Sequence, residues 1–119
     1  MPNSKEYLHM GWQALCSEHE VIADEVKECT LADGTSVIAV RSTSGEVRVF
    51  QGTCPHQQRT LADAYVCEDV LTCSAHMWEF DVHTGEGING TLSRLAAYPT
   101  KVDGDDVFVD TSRVKPVTW

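Results

Sequence analysis

Two short runs, Cys54-Pro55-His56 and Cys73-Ser74-Ala75-His76, constrain this chain more than any other feature of it. Each joins one thiol to one imidazole at close spacing, and the second run nearly repeats the first. A cysteine on its own behaves as a small buried hydrophobe, and a single histidine is ordinarily a surface or hydrogen-bonded residue. Two matched pairs form a ligand pattern. Cys54 and Cys73 can hold one metal centre while His56 and His76 hold a neighbouring one. Zinc is the competing reading, since it too takes two thiolates and two imidazoles. Structural zinc modules, however, usually space their cysteines C-x2–4-C and their histidines H-x3–5-H. Here each run mixes one of each, and a single residue separates Cys54 from His56. That spacing suits two adjacent irons better than tetrahedral closure on one ion.

At 119 residues the chain is read as one domain, 1–119. It is long enough to bury a core without disulfides. Its five cysteines are an odd number with no secretory framework in their spacing. No apolar signal segment and no run long enough to span a membrane is present, so a reducing cytoplasm is the expected compartment. The formal charge of −9 repels nucleic acid, and no basic stretch interleaved with aromatics offsets it. Such a charge steers the protein toward basic patches on other proteins.

The chain reads as many short strands punctuated by turns, an all-β fold. Val37–Val40 and Val47–Phe50 are β-branched runs separated by Thr43-Ser44-Gly45, a hairpin signature. Asp33-Gly34 marks a second tight turn after Glu28–Leu31, and Asp103-Gly104-Asp105 a third between Pro99–Val102 and Val107–Val109. Ser17 followed by Glu20 is a capping signal for one short helical turn. Between Phe50 and Tyr98 lies the ligand-bearing insert, about 52–97, in which Val70–Thr72 and Glu79–Asp81 form a hairpin presenting Cys73 and His76. Residues 111–119 read as a loose tail. Cys16, Cys29 and Cys67 read as small packed side chains, and His9, His19 and His83 as solvated ones. No nucleophile–base pair or paired acid suggests catalysis.

The pattern C-x-H followed by C-x2-H resembles the Rieske family, whose [2Fe–2S] cluster carries two histidines in place of two cysteines on one iron. The resemblance runs from roughly Val26 to Val109 and is strongest from Cys54 to Asn89. It implies three antiparallel sheets, a β-sandwich carrying a cluster-binding subdomain on two ligand loops. It also implies one [2Fe–2S] cluster held by Cys54, His56, Cys73 and His76. High-potential members carry a further disulfide across the two loops, at positions that here are near Arg59 and at Ala75, and hydroxyls where this chain has Trp78 and Phe80. Those features are absent, and the proline often found in the third loop is missing from residues 86–95. With Met77-Trp78-Glu79-Phe80 after the second ligand pair, the chain is similar to soluble ferredoxins of bacterial multicomponent oxygenases. Among these it is nearest the toluene and alkene monooxygenases, whose oxygenase is a diiron enzyme.

That resemblance implies a monomeric one-electron carrier, not an enzyme, between an NADH-linked flavin and iron–sulfur reductase and a hydrocarbon-oxidising oxygenase. Trp78, Gln57 and Met77 are the expected docking residues. Alternatives are a ferredoxin of a ring-hydroxylating dioxygenase, a nitrite reductase small subunit, or a structural zinc module.

Overall fold

Alternate residues of a strand face opposite ways, and one strand of this chain is apolar on both sides. A computed structural model describes residues 11–55, 59–74 and 77–118. In it Ser36–Arg41 forms the strand whose four central residues, Val37, Ile38, Ala39 and Val40, are each fully buried. Ile38 and Val40 enter one hydrophobic core with Phe50, Leu71, Phe80 and Leu95. Val37 and Ala39 enter a second, with Val49, Tyr98, Val107 and Val109. The strand therefore lies between two layers, and the rest of the fold is arranged about it.

The elements are β1 (Trp12–Ser17), a 3-10 turn (Glu18–Glu20), β2 (Lys27–Thr30), β3 (Ser36–Arg41) and β4 (Val47–Gln51). After them come β5 (Tyr65–Cys67), β6 (Val70–Thr72), β7 (Glu79–Asp81), β8 (Gly87–Ile88), β9 (Ala97–Tyr98), β10 (Thr100–Asp103) and β11 (Asp106–Asp110). They make three antiparallel sheets, ordered β1-β11-β10, β2-β3-β4-β9 and β5-β6-β7-β8. The third sheet is inserted between β4 and β9 of the second. Among the described residues, no helix is long and apolar enough to cross a membrane.

The three hairpins expected from turn chemistry join β2 to β3, β3 to β4 and β10 to β11, and Val70–Thr72 pairs with Glu79–Asp81 as anticipated. The Ser17–Glu20 turn forms too, with the Ser17 amide donating to Glu20 Oε1 at 3.2 Å. Arg41 fastens it to the body, donating to the Glu18 and Val21 carbonyls at 2.7 and 2.8 Å.

β1 and β5 were not anticipated. The β1 sequence, WQALCS, has little β-branched character, and its alternation is broken by a bulge between Ala14 and Cys16. β5 turns into β6 through Glu68 and Asp69, both left-handed at φ 48° and 68°. Asparagine or glycine usually occupies such a turn. Here the Asp69 carboxylate accepts from the Thr43 amide at 2.7 Å, the Thr43 hydroxyl at 2.6 Å and His83 Nε2 at 3.0 Å. Tertiary contacts thus hold a turn that local sequence does not announce.

The expectation of a loose tail is corrected over the residues described there. Val114 and Val117 pack against the second core, and Val117 is held by both of its backbone groups. Its amide donates to Gln51 Oε1 at 2.8 Å and its carbonyl accepts from Gln51 Nε2 at 2.9 Å. Gln51 is buried at the end of β4. Its remaining capacity goes to the Ala96 amide, which donates to Oε1 at 2.7 Å, and to the Thr53 carbonyl, which accepts from Nε2 at 2.8 Å. One amide side chain, with two donors and an acceptor of two lone pairs, is fully used. Polar spacing in the tail hid this, because the partner lies far away in sequence.

Replacing Gln51 by Leu keeps the volume and leaves the buried Ala96 amide without a partner, at a cost on the order of 1–3 kcal/mol, and three partly buried groups on Thr53 and Val117 that water can partly satisfy. Urea unfolding of Gln51→Leu should show a loss of about 2–4 kcal/mol. Removing residues 114–119 should reproduce part of that loss. Unchanged unfolding in both variants would show that the Gln51 contacts contribute nothing.

Candidate metal centre

Both cysteine-bearing loops are closed by the same backbone device. The Cys54 amide donates to the Arg59 carbonyl at 2.7 Å, and the Cys73 amide donates to the Trp78 carbonyl at 2.9 Å. Each cysteine thus opens a loop pinned to the carbonyl five positions on, with four residues between. The first loop springs from the end of β4 and is supported by an isolated bridge between Thr53 and Thr60 and by the Leu61 amide on the Gly52 carbonyl at 2.8 Å. The second is the tip of the β6–β7 hairpin. It turns back through Met77, left-handed at φ 58°, whose amide reaches the Cys73 carbonyl at 2.9 Å.

Gly52, just before the first loop, has a steric reason to lack a side chain. A Cβ there would overlap the Ser36 hydroxyl and lie 2.9 Å from the Ser36 backbone. The Gly52 amide donates to the Ser36 carbonyl at 3.0 Å, so the first loop leaves the sheet pressed against β3.

Cys54 and Cys73 are each 1% exposed and belong to the same core. Leu61, Ala64, Leu71, Phe80 and Leu95 belong to that core as well, with Trp78 packed against it. The loops are also tied at their rims. Asp63 accepts from Arg59 Nη2 at 3.2 Å and from the Ser74 side chain, and these hydrogen bonds hold its carboxyl below the usual range. Arg59 closes the first loop and Ser74 lies in the second, so Asp63 links them.

Of the sequence-predicted ligands, the structure brings Cys54 and Cys73 into one apolar core; His56 and His76 lie outside the described residues. Of the expected docking residues, Gln57 also lies outside them. Met77 is 59% exposed, and Tyr65, itself 46% exposed, directs its hydroxyl to the Met77 sulfur at 3.8 Å. Trp78 is half-buried and meets Phe80 edge-on, with ring centroids 6.5 Å apart and planes at 68°. Residues two apart lie on one face of an extended chain, and the two rings meet there.

Cys67 corrects its sequence reading as a packed side chain: it is exposed on β5. Two further expectations hold, since His19 and His83 are exposed. Sequence reasoning missed Asp63, Tyr65 and Gln51, which support the loops. Only Asp63 had a local signal, standing four residues after Arg59.

Two thiols buried in one core, each at the mouth of a short pinned loop, fit the sulfur half of a [2Fe–2S] site. Soft thiolate donors suit iron–sulfur chemistry, and the imidazole two or three residues later in each run supplies the ligand type for the second iron.

Residues 11–99 match the family model described as the Rieske [2Fe-2S] domain. The chain is 41% identical over 68 residues to the ferredoxin component of the alkene monooxygenase system of Xanthobacter autotrophicus (strain ATCC BAA-1158 / Py2). That match covers 56% of this chain and 56% of the relative's own length. It is 32% identical over 106 residues to the biphenyl dioxygenase ferredoxin subunit of Pseudomonas sp. (strain KKS102), covering 87% and 95%. Its fold matches a chain in the complex of reduced oxygenase and oxidized ferredoxin in carbazole 1,9a-dioxygenase. The TM-score is 0.75 at 19% identity, over 84% of this chain and 93% of that one. With its paired cysteine loops and its three antiparallel sheets, this chain belongs to the Rieske [2Fe–2S] family.

Proposed function

We propose that this chain is a one-electron carrier that delivers electrons to the terminal oxygenase of a multicomponent system, and that it catalyses no reaction itself. The observation that carries this reading is the pair of buried cysteines, Cys54 and Cys73, opening two equally pinned loops in one core. A [2Fe–2S] cluster, when bound, takes up and releases one electron without bonding to a substrate. Cys54 and Cys73 would hold one iron, and His56 and His76 the other. The surrounding Leu61, Leu71, Phe80 and Leu95 exclude water from the sulfur side, while Asp63 keeps the two loops together.

The oxygenase reading draws on relatives named as ferredoxin components of alkene monooxygenase and biphenyl dioxygenase. The Met77-Trp78 sequence favours a diiron monooxygenase acting on an aromatic or alkene hydrocarbon. The electron donor is an NADH-linked flavin reductase, and the carrier works as a cytoplasmic monomer of one domain. Its charge of −9 guides it to basic partner surfaces at a rate that falls with salt.

Metal and sulfide analysis is the direct test. Two irons and two inorganic sulfides per chain are expected, with the rhombic electron-resonance signal of mixed histidine and cysteine ligation in the reduced protein. Stoichiometric zinc without sulfide would replace this reading with a structural module.

The midpoint potential should lie toward the lower end of the family range of roughly −150 to +300 mV. Trp78 and Phe80 offer no hydroxyl to stabilise an added charge, and no disulfide can join positions 59 and 75. Histidine ligation should still keep it above about −400 mV, the plant-type value. Voltammetry giving a midpoint well above zero would point to quinol chemistry.

Docking is assigned to Met77, Trp78 and Gln57. Met77 is its exposed apolar anchor, and Trp78 supports it from a half-buried position. Carrier interfaces are small, below about 1,200 Å², so one apolar anchor weighs heavily. In Met77→Ala, single-turnover transfer to the oxygenase should slow several-fold at unchanged cluster content and potential. Trp78→Ala should slow transfer as well. Loss of the cluster or unfolding in that variant would make Trp78 a core residue alone.

A further inference from the structure

A dithiol stands apart from the metal loops, on the seam between the first and second sheets. Cys16 is in β1 and Cys29 in β2, and both are partly buried against the second core. Their thiols hydrogen-bond to each other, and Cys29 Sγ also approaches the Lys27 carbonyl at 3.9 Å. The β1 bulge accounts for the meeting. Ala14 pairs with Phe108 and Cys16 with the adjacent Val107, so Leu15 is the extra residue. Regular alternation would send Cys16 to the side of exposed Ala14. The bulge re-aims it, so that Leu15 and Cys16 both pack on the core. Cys29 arrives opposite Val37, whose fully buried side chain belongs to that core.

We infer that Cys16 and Cys29 form a modification site, a dithiol that low-molecular-weight disulfides convert into an intramolecular bridge between β1 and β2. In the first step a thiolate at Cys29 attacks one sulfur of the small disulfide. One small thiol leaves with the proton, and Cys29 holds the mixed disulfide. Cys16 then attacks the Cys29 sulfur, the protein S–S bond forms, and the second small thiol leaves with the Cys16 proton. The protein loses two hydrogens and two electrons, and the small disulfide is reduced to two thiols.

Burial, with the neighbouring Cys29 adding to it, pushes the Cys16 thiol up to about 11, and burial raises Cys29 as well. Few thiolates exist at neutral pH, so capture is slow. Closure is fast, because the second thiol is a near neighbour of the first. Cys67, exposed on β5, serves as the contrast. The inference is independent of what Cys54 and Cys73 hold.

The test incubates the cluster-loaded protein with oxidised glutathione, followed by acid quenching, intact mass and peptide mapping. A Cys67→Ser background removes the exposed thiol. The expected product has lost about two mass units and contains one linked peptide pair joining Cys16 to Cys29, reversed by dithiothreitol. Its melting temperature rises by on the order of 5 °C, since the bridge closes a short loop. Cys16→Ser should leave Cys29 with a standing glutathione adduct. If that variant does not fold, the peptide map of the Cys67→Ser protein decides alone. Separate adducts on Cys16 and Cys29, a bridge to any other cysteine, or Cys16 and Cys29 themselves found alkylated by maleimide in the peptide map would each overturn the inference.

Discussion

The whole architecture hangs on the two-sided burial of β3. Val37 and Ala39 face one core, Ile38 and Val40 the other, and none of the four is exposed. A strand in that position must be covered on both sides, and the first and third sheets are what cover it. The consequence for the site is direct. β4 is paired to β3 and ends at Gln51, with Gly52 next, so the first cysteine loop starts from the most buried part of the molecule. The third sheet brings the second loop to the same core through Leu71 and Phe80.

Equal closure of the two loops gives the centre its symmetry. Each loop is pinned across its mouth by one backbone hydrogen bond, and its cysteine is buried in the apolar core. Carriers benefit when few groups move on electron transfer, because each displaced dipole adds to the reorganisation that accompanies the charge. Hydrogen bonds from Cys54 to Arg59, from Cys73 to Trp78 and across Asp63 serve that end. The exposed Tyr65–Met77 contact places the softer, more adaptable side chain outside this framework.

Sequence legibility followed locality. The hairpins about Asp33-Gly34, Thr43–Gly45 and Asp103–Asp105 were readable because turn chemistry and β-branched runs lie side by side. The two cysteine–histidine runs were readable because ligand chemistry demands particular residue types at close spacing. β1 was not, since its pairing partner β11 lies at the other end of the chain and a bulge breaks its period. The turn at Glu68-Asp69 was hidden because Thr43 and His83 hold it from a distance. Val117 looked like tail for the same reason, its two hydrogen bonds ending on Gln51. Asp63, Tyr65 and Gln51 carry ordinary side chains whose roles arise only from what the fold sets beside them.

The Gln51 amide has a consequence for the order in which the molecule is assembled. A chain emerging from the ribosome folds from its N-terminal side, and β3 with β4 is a local hairpin, as are β6 with β7. Both cysteines emerge while Gln51 still lacks Ala96 and Val117. The same is true of β1, which waits for β11. Thr53, the neighbour of Cys54, therefore acquires its settled carbonyl contact only when the last turns of chain arrive. The support that Gln51 gives to the start of the first cysteine loop is thereby completed only when Ala96 and Val117 are in place.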